Sequence, residues 1–360
     1  MNVLFLTHRL PYAPNRGDRI RAYHIIRTLR KCGHLVDLVS LVHDQDESSH
    51  ANSMRSLVDS LHIAPVHPVK KWLGAVRNLA SGAPLTHALL DSPRLRPAIQ
   101  AVLRVRRPDV VLAYCSSMAR VALEPPLSGF PVVIDLVDVD SLKWRSLASK
   151  TMIPKRLIFE REGTLLSRFE AHAGHSAFAT VVINEREGSA FETIAPGAIV
   201  RVVPNGVDFE YWRSPGESSR AADVAFCGVM NYAPNEEGAI WLANNVWPLV
   251  VKRRPEARLL LVGAYPTARI KRLATQSGRI EVTGEVSDVR PFLWNSAVGV
   301  APLHTARGIQ NKVLEAVAAG LPVVVTPVVA DGLPNEVLPA CVVAGDATGF
   351  ADAIVDRLAL

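Results

Sequence analysis

Two doubly wound parallel α/β domains are predicted for this chain, on three observations. Short runs of near-continuous Val, Ile and Leu alternate with helix-length segments along its length, the pattern of strands covered on both faces by crossover helices. The alternation starts afresh after Pro204-Asn205-Gly206 and the polar stretch 214–220, which have turn and linker composition. At 360 residues, the chain is long enough for two ordinary domains, each with its own core. The boundaries that follow are residues 1–204, a linker at 205–221, and residues 222–360.

In the first domain a strand at 3–6 leads through a loop into a helix over 19–32, with Asp18 placed as N-cap and Gly33 as stop. Strands follow at 35–42, 110–114, 132–135, 179–183 and 199–203, with helices at 93–107 and 155–172 among them. The second domain opens on a strand at 225–228, then a helix over 236–251, capped by Asn235 and bent near Pro248. A strand at 259–263, a helix at 266–276, a strand at 280–283, a short helix after Ser287 and a strand at 299–303 complete the run. Two such domains put their strand C-terminal ends around a cleft, the usual ligand position in open α/β sheets.

With 49% hydrophobic and 21% charged residues the composition is that of a globular protein. The apolar run at 2–6 is too short to span a bilayer and no cleavage site follows it, so a cytoplasmic location is expected. Cys32, Cys115, Cys227 and Cys341 are scattered, without Cys-x-x-Cys spacing, and read as buried thiols rather than zinc ligands or disulfides. The formal charge of +6 is concentrated early: residues 1–110 hold 16 Lys or Arg against 8 Asp or Glu. The runs at 70–72 and 104–107 could face a phosphate-bearing acceptor or make peripheral contact with an anionic membrane at the inner face of the cytoplasmic membrane, while a solvated helix face is the plainer reading of either run. Nucleic acid is not an expected partner, because the basic residues are not interleaved with aromatics and no binding motif appears. Neither domain has G-x-G-x-x-G after its first strand, and G-x-x-x-x-G-K-[ST], G-x-S-x-G and paired metal-spaced histidines are missing too.

The stretch 307–327 carries the most chemistry. Arg307, Gly308, Ile309, Gln310 and Asn311 compose a tight loop, residues 312–319 are strong helix formers, Gly320 is a C′ glycine and 323–325 a buried-type strand. A helix start offers amides and a positive dipole end to an anion, and Arg307 and Lys312 reinforce that sign. Glu315 is one turn deeper on the same face, able to accept hydrogen bonds from hydroxyls borne by the anion. A sugar nucleotide, with two phosphates beside a ribose, fits this combination. A capped helix with a Lys312–Glu315 surface pair fits the residues as well.

The chain also resembles a known family. The segments PYAPNRGDRIRAYHIIRTLRKCGHLVDLVSL, DLVDVDSLKW, VVPNGVDFEYW, MNYAPNEEGAIWL and ARGIQNKVLEAVAAGLPVVVTP are similar to those of the two-domain (GT-B) glycosyltransferases of the large retaining family 4, and more narrowly of the sugar transferases of exopolysaccharide and PEP-CTERM/exosortase systems. The resemblance implies that Glu315 binds the nucleotide ribose. The position of the family's earlier Glu is taken by Arg307, and the region of Gly228 to Glu237 lacks the Arg and Lys that usually grip the diphosphate. Arg307 and Lys312 are therefore expected to hold the diphosphate. Gly17 matches the N-terminal glycine loop that approaches the donor phosphates, with Arg16 and Arg19 beside it. Gly284 and Val286 match the backbone stretch that faces the base, and Tyr114 stands where relatives carry a histidine near the reacting centre.

Asp138-Val139-Asp140 has the form of the metal-binding D-x-D of the other major glycosyltransferase fold. Because this chain offers basic residues for the leaving group, Asp138 is read as a cleft residue touching the acceptor, and neither metal nor cofactor is expected. The implied reaction is transfer of a sugar from a nucleoside diphosphate sugar to a hydroxyl of a glycan or lipid-linked acceptor, with retention of configuration. A sugar-nucleotide epimerase on the same fold and a catalytically inactive binding protein of a polysaccharide assembly remain open alternatives. The end at 349–360 reads as the start of a helix, so the family's C-terminal crossover helix is expected to be missing.

Overall fold

The computed structural model describes residues 1–13, 17–149, 151–216, 221, 223–306 and 308–359, apart from the side chains of Asp18, Lys70, Lys71 and Gln276. It divides into two compact units, Met1–Val203 and Pro204–Leu360. Each is a parallel sheet with helices on both faces.

In the first unit the strands are β1 (Asn2–Thr7), β2 (Leu35–Val42), β3 (Ser60–Pro65), β4 (Val110–Tyr114), β5 (Val132–Val137), β6 (Ala179–Val182) and β7 (Val200–Val202), in the order β3-β2-β1-β4-β5-β6-β7. All neighbours are parallel. Chain order reverses between β1 and β4, so their carboxyl ends flank the crevice where such sheets place ligands. Leu4 and Leu6 enter one buried layer and Phe5 the other, consistent with a strand covered on both sides. The helix Gly17–Lys31 ends in a Schellman closure: His34 N donates to Leu29 O and Gly33 N to Arg30 O, each at 3.0 Å, with Gly33 at φ +78°. That helix already begins at Gly17, so Asp18 lies inside its first turn and is not the N-cap.

The second unit holds β8 (Asp223–Cys227), β9 (Arg258–Val262), β10 (Ile280–Gly284), β11 (Val298–Ala301), β12 (Val323–Val325) and β13 (Cys341–Val343), in the order β10-β9-β8-β11-β12-β13, again all parallel. Here the order reverses between β8 and β11. The expected single helix over 236–251 is three pieces: Ala233–Trp241, a π-helical turn at Leu242–Val246, and Trp247–Arg253. Pro248 explains the break, since it has no N–H for the carbonyl four residues back and its ring crowds that carbonyl. The N-cap is Tyr232, and Asn235 is buried inside the first turn. The helix Ala347–Leu358, capped by Asp346, buries Phe350, Ala351, Ala353 and Ile354. Phe350 meets the edge of Trp241 at 5.4 Å.

Residues 205–213 are not a free connector. Asn205 Nδ2 donates to Asn311 Oδ1 at 2.9 Å, Trp294 Nε1 to Trp212 O at 2.8 Å, and the Arg290 guanidinium stacks 4.0 Å from the Tyr211 ring centroid. The turn after Pro204 is thereby part of the second unit.

β8 and β9 run on past their ends as closely apposed backbones. Gly228 N donates to Val262 O at 3.0 Å, and a Cβ on Gly263, which has φ +147°, would sit 1.8 Å from Gly228 O. No side chain fits there, and the φ itself is strained for an L residue. Gly263→Ala is expected to lower unfolding stability by about 2–4 kcal/mol, read as the shift in a denaturant midpoint. A loss within experimental error would refute the close approach.

Candidate functional site

The carboxyl end of β8 and the helix that follows it meet the head of the helix Asn311–Ala318. Its Lys312 Nζ donates to Asn235 Oδ1 at 2.5 Å, and Asn235 Nδ2 donates to Val229 O at 2.9 Å. The two bonds fix the amide orientation, because an ammonium needs the oxygen and a carbonyl needs the NH₂. Lys312 Nζ also lies 4.8 Å from the Phe226 ring centroid, a cation–π distance. Gly228 is the cover of this arrangement: a Cβ there would stand 2.7 Å from Asn235 Nδ2 and 3.2 Å from Lys312 Nζ.

Lys312 and Glu315 are ringed by protein while keeping a solvent-facing edge. Burial pushes Lys312 down to about 8, with Cys227 and Glu315 pulling the other way. Burial pushes Glu315 up to about 7, opposed by the Lys312 charge. The Cys227 thiol beneath them is pushed up to about 12, first by burial and then by Glu315. The amine is held by Asn235 rather than by Glu315, and among the described residues none hydrogen-bonds the Glu315 carboxyl. The site is therefore a cation and a carboxyl one turn apart, both short of polar partners, at the head of a helix whose N-cap, Gln310, makes no side-chain cap. An anion carrying hydroxyl groups supplies what both lack.

The other second-unit residues singled out by sequence take these places. Gly308 has φ +60°, and a Cβ on Gly332 would come 2.6 Å from Gly308 O, so the loop is seated tightly. Ile309 is buried, and Asn311 accepts from Asn205. Gly284 ends β10 at φ +71°; Thr283 Oγ1 donates to its carbonyl at 2.8 Å and accepts from Gly263 N at 3.3 Å, linking it to the Gly228 side. Val286 is half-buried just beyond. Arg307 lies outside the described residues, and so does Arg16.

In the first unit, Gly17 is exposed at the start of its helix. Arg19 corrects the expectation of a phosphate-facing cation: it is buried and bonded at 3.0 Å to Glu47, which also takes Arg9 at 3.0 Å. The helix turns position 19 toward the β2 side, where a buried carboxylate needs a counter-charge. Tyr114 is buried at the end of β4, stacked on His8 at 5.7 Å and edge-on to Phe5 at 6.3 Å. Asp138 is half-buried just past β5, while Asp140 accepts from Ser116 Oγ at 2.6 Å as the first residue of the helix Asp140–Ser149. Among the described residues no three His, Cys, Asp or Glu side chains gather as metal ligands.

Sequence reasoning missed two arrangements. Asn235 passed for a cap because Asn before an apolar run is the usual cap signal. Arg21, which donates to Asp135 Oδ2 at 2.8 Å and to Val203 O at 2.9 Å, gave no signal at all, since its partners are more than a hundred residues away.

Residues 221–359 match the model of the family described as glycosyl transferases group 1. The whole chain is similar in fold to sucrose-phosphate synthase from Thermosynechococcus elongatus, at 16% identity and TM-score 0.70, covering 100% of this chain and 90% of that one. It is similar to HepE of Anabaena, solved in complex with UDP, at 14% identity and TM-score 0.66, with 100% and 90% covered. WaaG, a glycosyltransferase involved in lipopolysaccharide biosynthesis, aligns at 16% identity and TM-score 0.62 over 99% and 90%. No curated protein matches the sequence. The fold is GT-B, the two-domain architecture shared with these structures. Within that fold, the similarity to the group 1 glycosyl transferases lies in the second unit.

The Glu315 proton is held more tightly in the folded protein than in the unfolded chain, where the ordinary value is 4.5. Its contribution to stability is thus complete below about 4.5 and is lost as pH rises through about 7. Glu315→Gln, which cannot ionise, should gain on the parent by about 1–3 kcal/mol between pH 4.5 and 7, measured as the difference of denaturation midpoints. Parallel pH curves for the two proteins would contradict the burial argument.

Proposed function

We propose that this protein transfers a glycosyl unit from a nucleoside diphosphate sugar to a hydroxyl of a glycan or lipid-linked acceptor, with retention of configuration. The observation that carries the reading is the buried Lys312 and Glu315 pair at the head of the 311–318 helix, beside the β8/β11 switch point. Lys312 meets the diphosphate, together with Arg307 by its place in the sequence, and Glu315 accepts from the ribose hydroxyls. Gly228, Gly284 and Val286 line the nucleotide, Gly308 to Asn311 present the helix amides, and Gly17, Tyr114 and Asp138 serve the acceptor side. HepE complexes with UDP and with UDP-glucose support a nucleotide-sugar donor.

In the transition state the sugar carries oxocarbenium character and negative charge grows on the leaving diphosphate. A cation already held in place and largely ringed by protein, with a set of helix amides, stabilises that charge with little reorganisation. Side chains and amides take the place of a metal, so none is required. The quoted sequence segments support a role in exopolysaccharide synthesis of the PEP-CTERM type, in the cytoplasm.

Lys312→Ala is expected to weaken nucleoside diphosphate binding by about 1.5–3 kcal/mol, with little effect on the nucleoside, in calorimetric titrations. Glu315→Gln should instead weaken every ribose-containing ligand. Equal losses for nucleoside and diphosphate in the lysine variant would sink the assignment. Transfer activity should also persist in EDTA; a loss restored only by added Mn²⁺ or Mg²⁺ would overturn the metal-free mechanism.

A further inference from the structure

The helix Pro68–Ser81 turns Ala75 and Asn78 inward, with Asn78 Nδ2 donating to Pro84 O at 2.8 Å. Arg161, from the helix Lys155–Ser176, donates to the Asn78 and Leu79 carbonyls at 2.8 and 3.2 Å. The outer side is apolar and uncovered: Val69, Trp72, Leu73 and Val76 are 60%, 62%, 66% and 67% exposed. Their spacing, i, i+3, i+4 and i+7, makes one continuous stripe. An amphipathic helix of a globular domain buries that stripe, so a stripe left outside needs a covering. The helix contains Lys70, Lys71 and Arg77 and no Asp or Glu. Met152, Ile153 and Leu157 are exposed at the head of the neighbouring helix that Arg161 ties to it.

Beside the stripe opens a cavity of about 530 Å³, lined among others by Leu73, Arg77, His87, Asp91 and Arg120. Arg120 meets Asp91 at 3.4 Å, while its Nε and the His87 Nε2 are buried with no described hydrogen-bond partner. His87 is 6% exposed. Leu73 belongs to both the stripe and the cavity wall, so a ligand that fills both is apolar at one end and anionic at the other.

We propose that this face docks on an anionic phospholipid bilayer, with Val69, Trp72, Leu73 and Val76 entering the boundary of headgroups and acyl chains and the Arg77, His87 and Arg120 cavity receiving a headgroup phosphate. An apolar stripe with Trp in it, on a helix with cations and no acids, has the chemistry of an interfacial helix. A continuous anionic surface matches that charge in any azimuthal orientation, whereas a protein partner would need its own acidic patch in register. The inference does not depend on the transferase reading, because vesicle binding needs neither donor nor transfer.

The test is cosedimentation of the whole chain with phosphatidylcholine vesicles, with and without phosphatidylglycerol. Binding should require phosphatidylglycerol and weaken with salt. Val76→Asp, at an exposed position, should cut partitioning by about ten-fold or more, and Arg77→Gln by about five-fold, with circular dichroism unchanged. Equal binding to both vesicle types, or Val76→Asp binding like the parent, overturns the proposal. Release of the parent protein by free glycerophosphate as complete as by competing vesicles would also overturn it, pointing to a soluble phosphate ligand alone. A concentration-dependent dimer that Val76→Asp abolishes would overturn it in favour of a second copy.

Discussion

A lysine ammonium held away from bulk water needs an oxygen acceptor and room to sit, and the second domain is arranged around supplying both to Lys312. Asn235 gives the oxygen, and is itself oriented by the Val229 carbonyl. The room comes from Gly228, where the first carbon of any side chain would reach Asn235 Nδ2. Gly263 has to be a glycine for a related reason, since the continuation of β9 presses on the Gly228 carbonyl. The loop at 308–310, seated against Gly332, then delivers the helix head to the same place.

Burial sets the chemistry of the site more than any single partner does. It is the largest influence on Lys312, Glu315 and Cys227 alike, and it moves each toward its neutral form. The carboxyl and the amine stay close to their titration range near neutrality because each charge partly relieves the other. A ligand with phosphate and hydroxyl groups shifts both toward the charged forms, which couples recognition of the two halves of a nucleotide. In the first domain the opposite solution applies. Arg19 and Arg21 are buried in ion pairs with Glu47 and Asp135, so their charge goes into holding the helix Gly17–Lys31 on the sheet.

The two sheets use one topology and differ in their surroundings. Both reverse strand order once, and both place glycine or left-handed backbone at strand ends, as at Cys115 and Val137 in the first and Gly263 and Gly284 in the second. The first unit adds helices beyond β3 that leave an apolar face in solvent. No described helix is long and apolar enough to cross a membrane.

Much of the fold was legible in the residues themselves. β2 and β4 have the bounds their Val and Leu runs announce, and Gly33 and Gly320 close helices as their positions suggest, because strand burial and helix stops act through neighbours in sequence. Lys312 and Glu315 stood out for the same reason, being one turn apart. β3 and the helix Pro68–Ser81 were not anticipated: the first is a short edge strand of mixed composition, and the second has its apolar side outward. Tertiary structure alone decided that Asn235 grips a lysine 77 residues away instead of capping its own helix, and that Arg19 faces inward. Both outcomes depend on which polar group is left without water when the sheets close, and that is a property of the packed domain rather than of any stretch of chain.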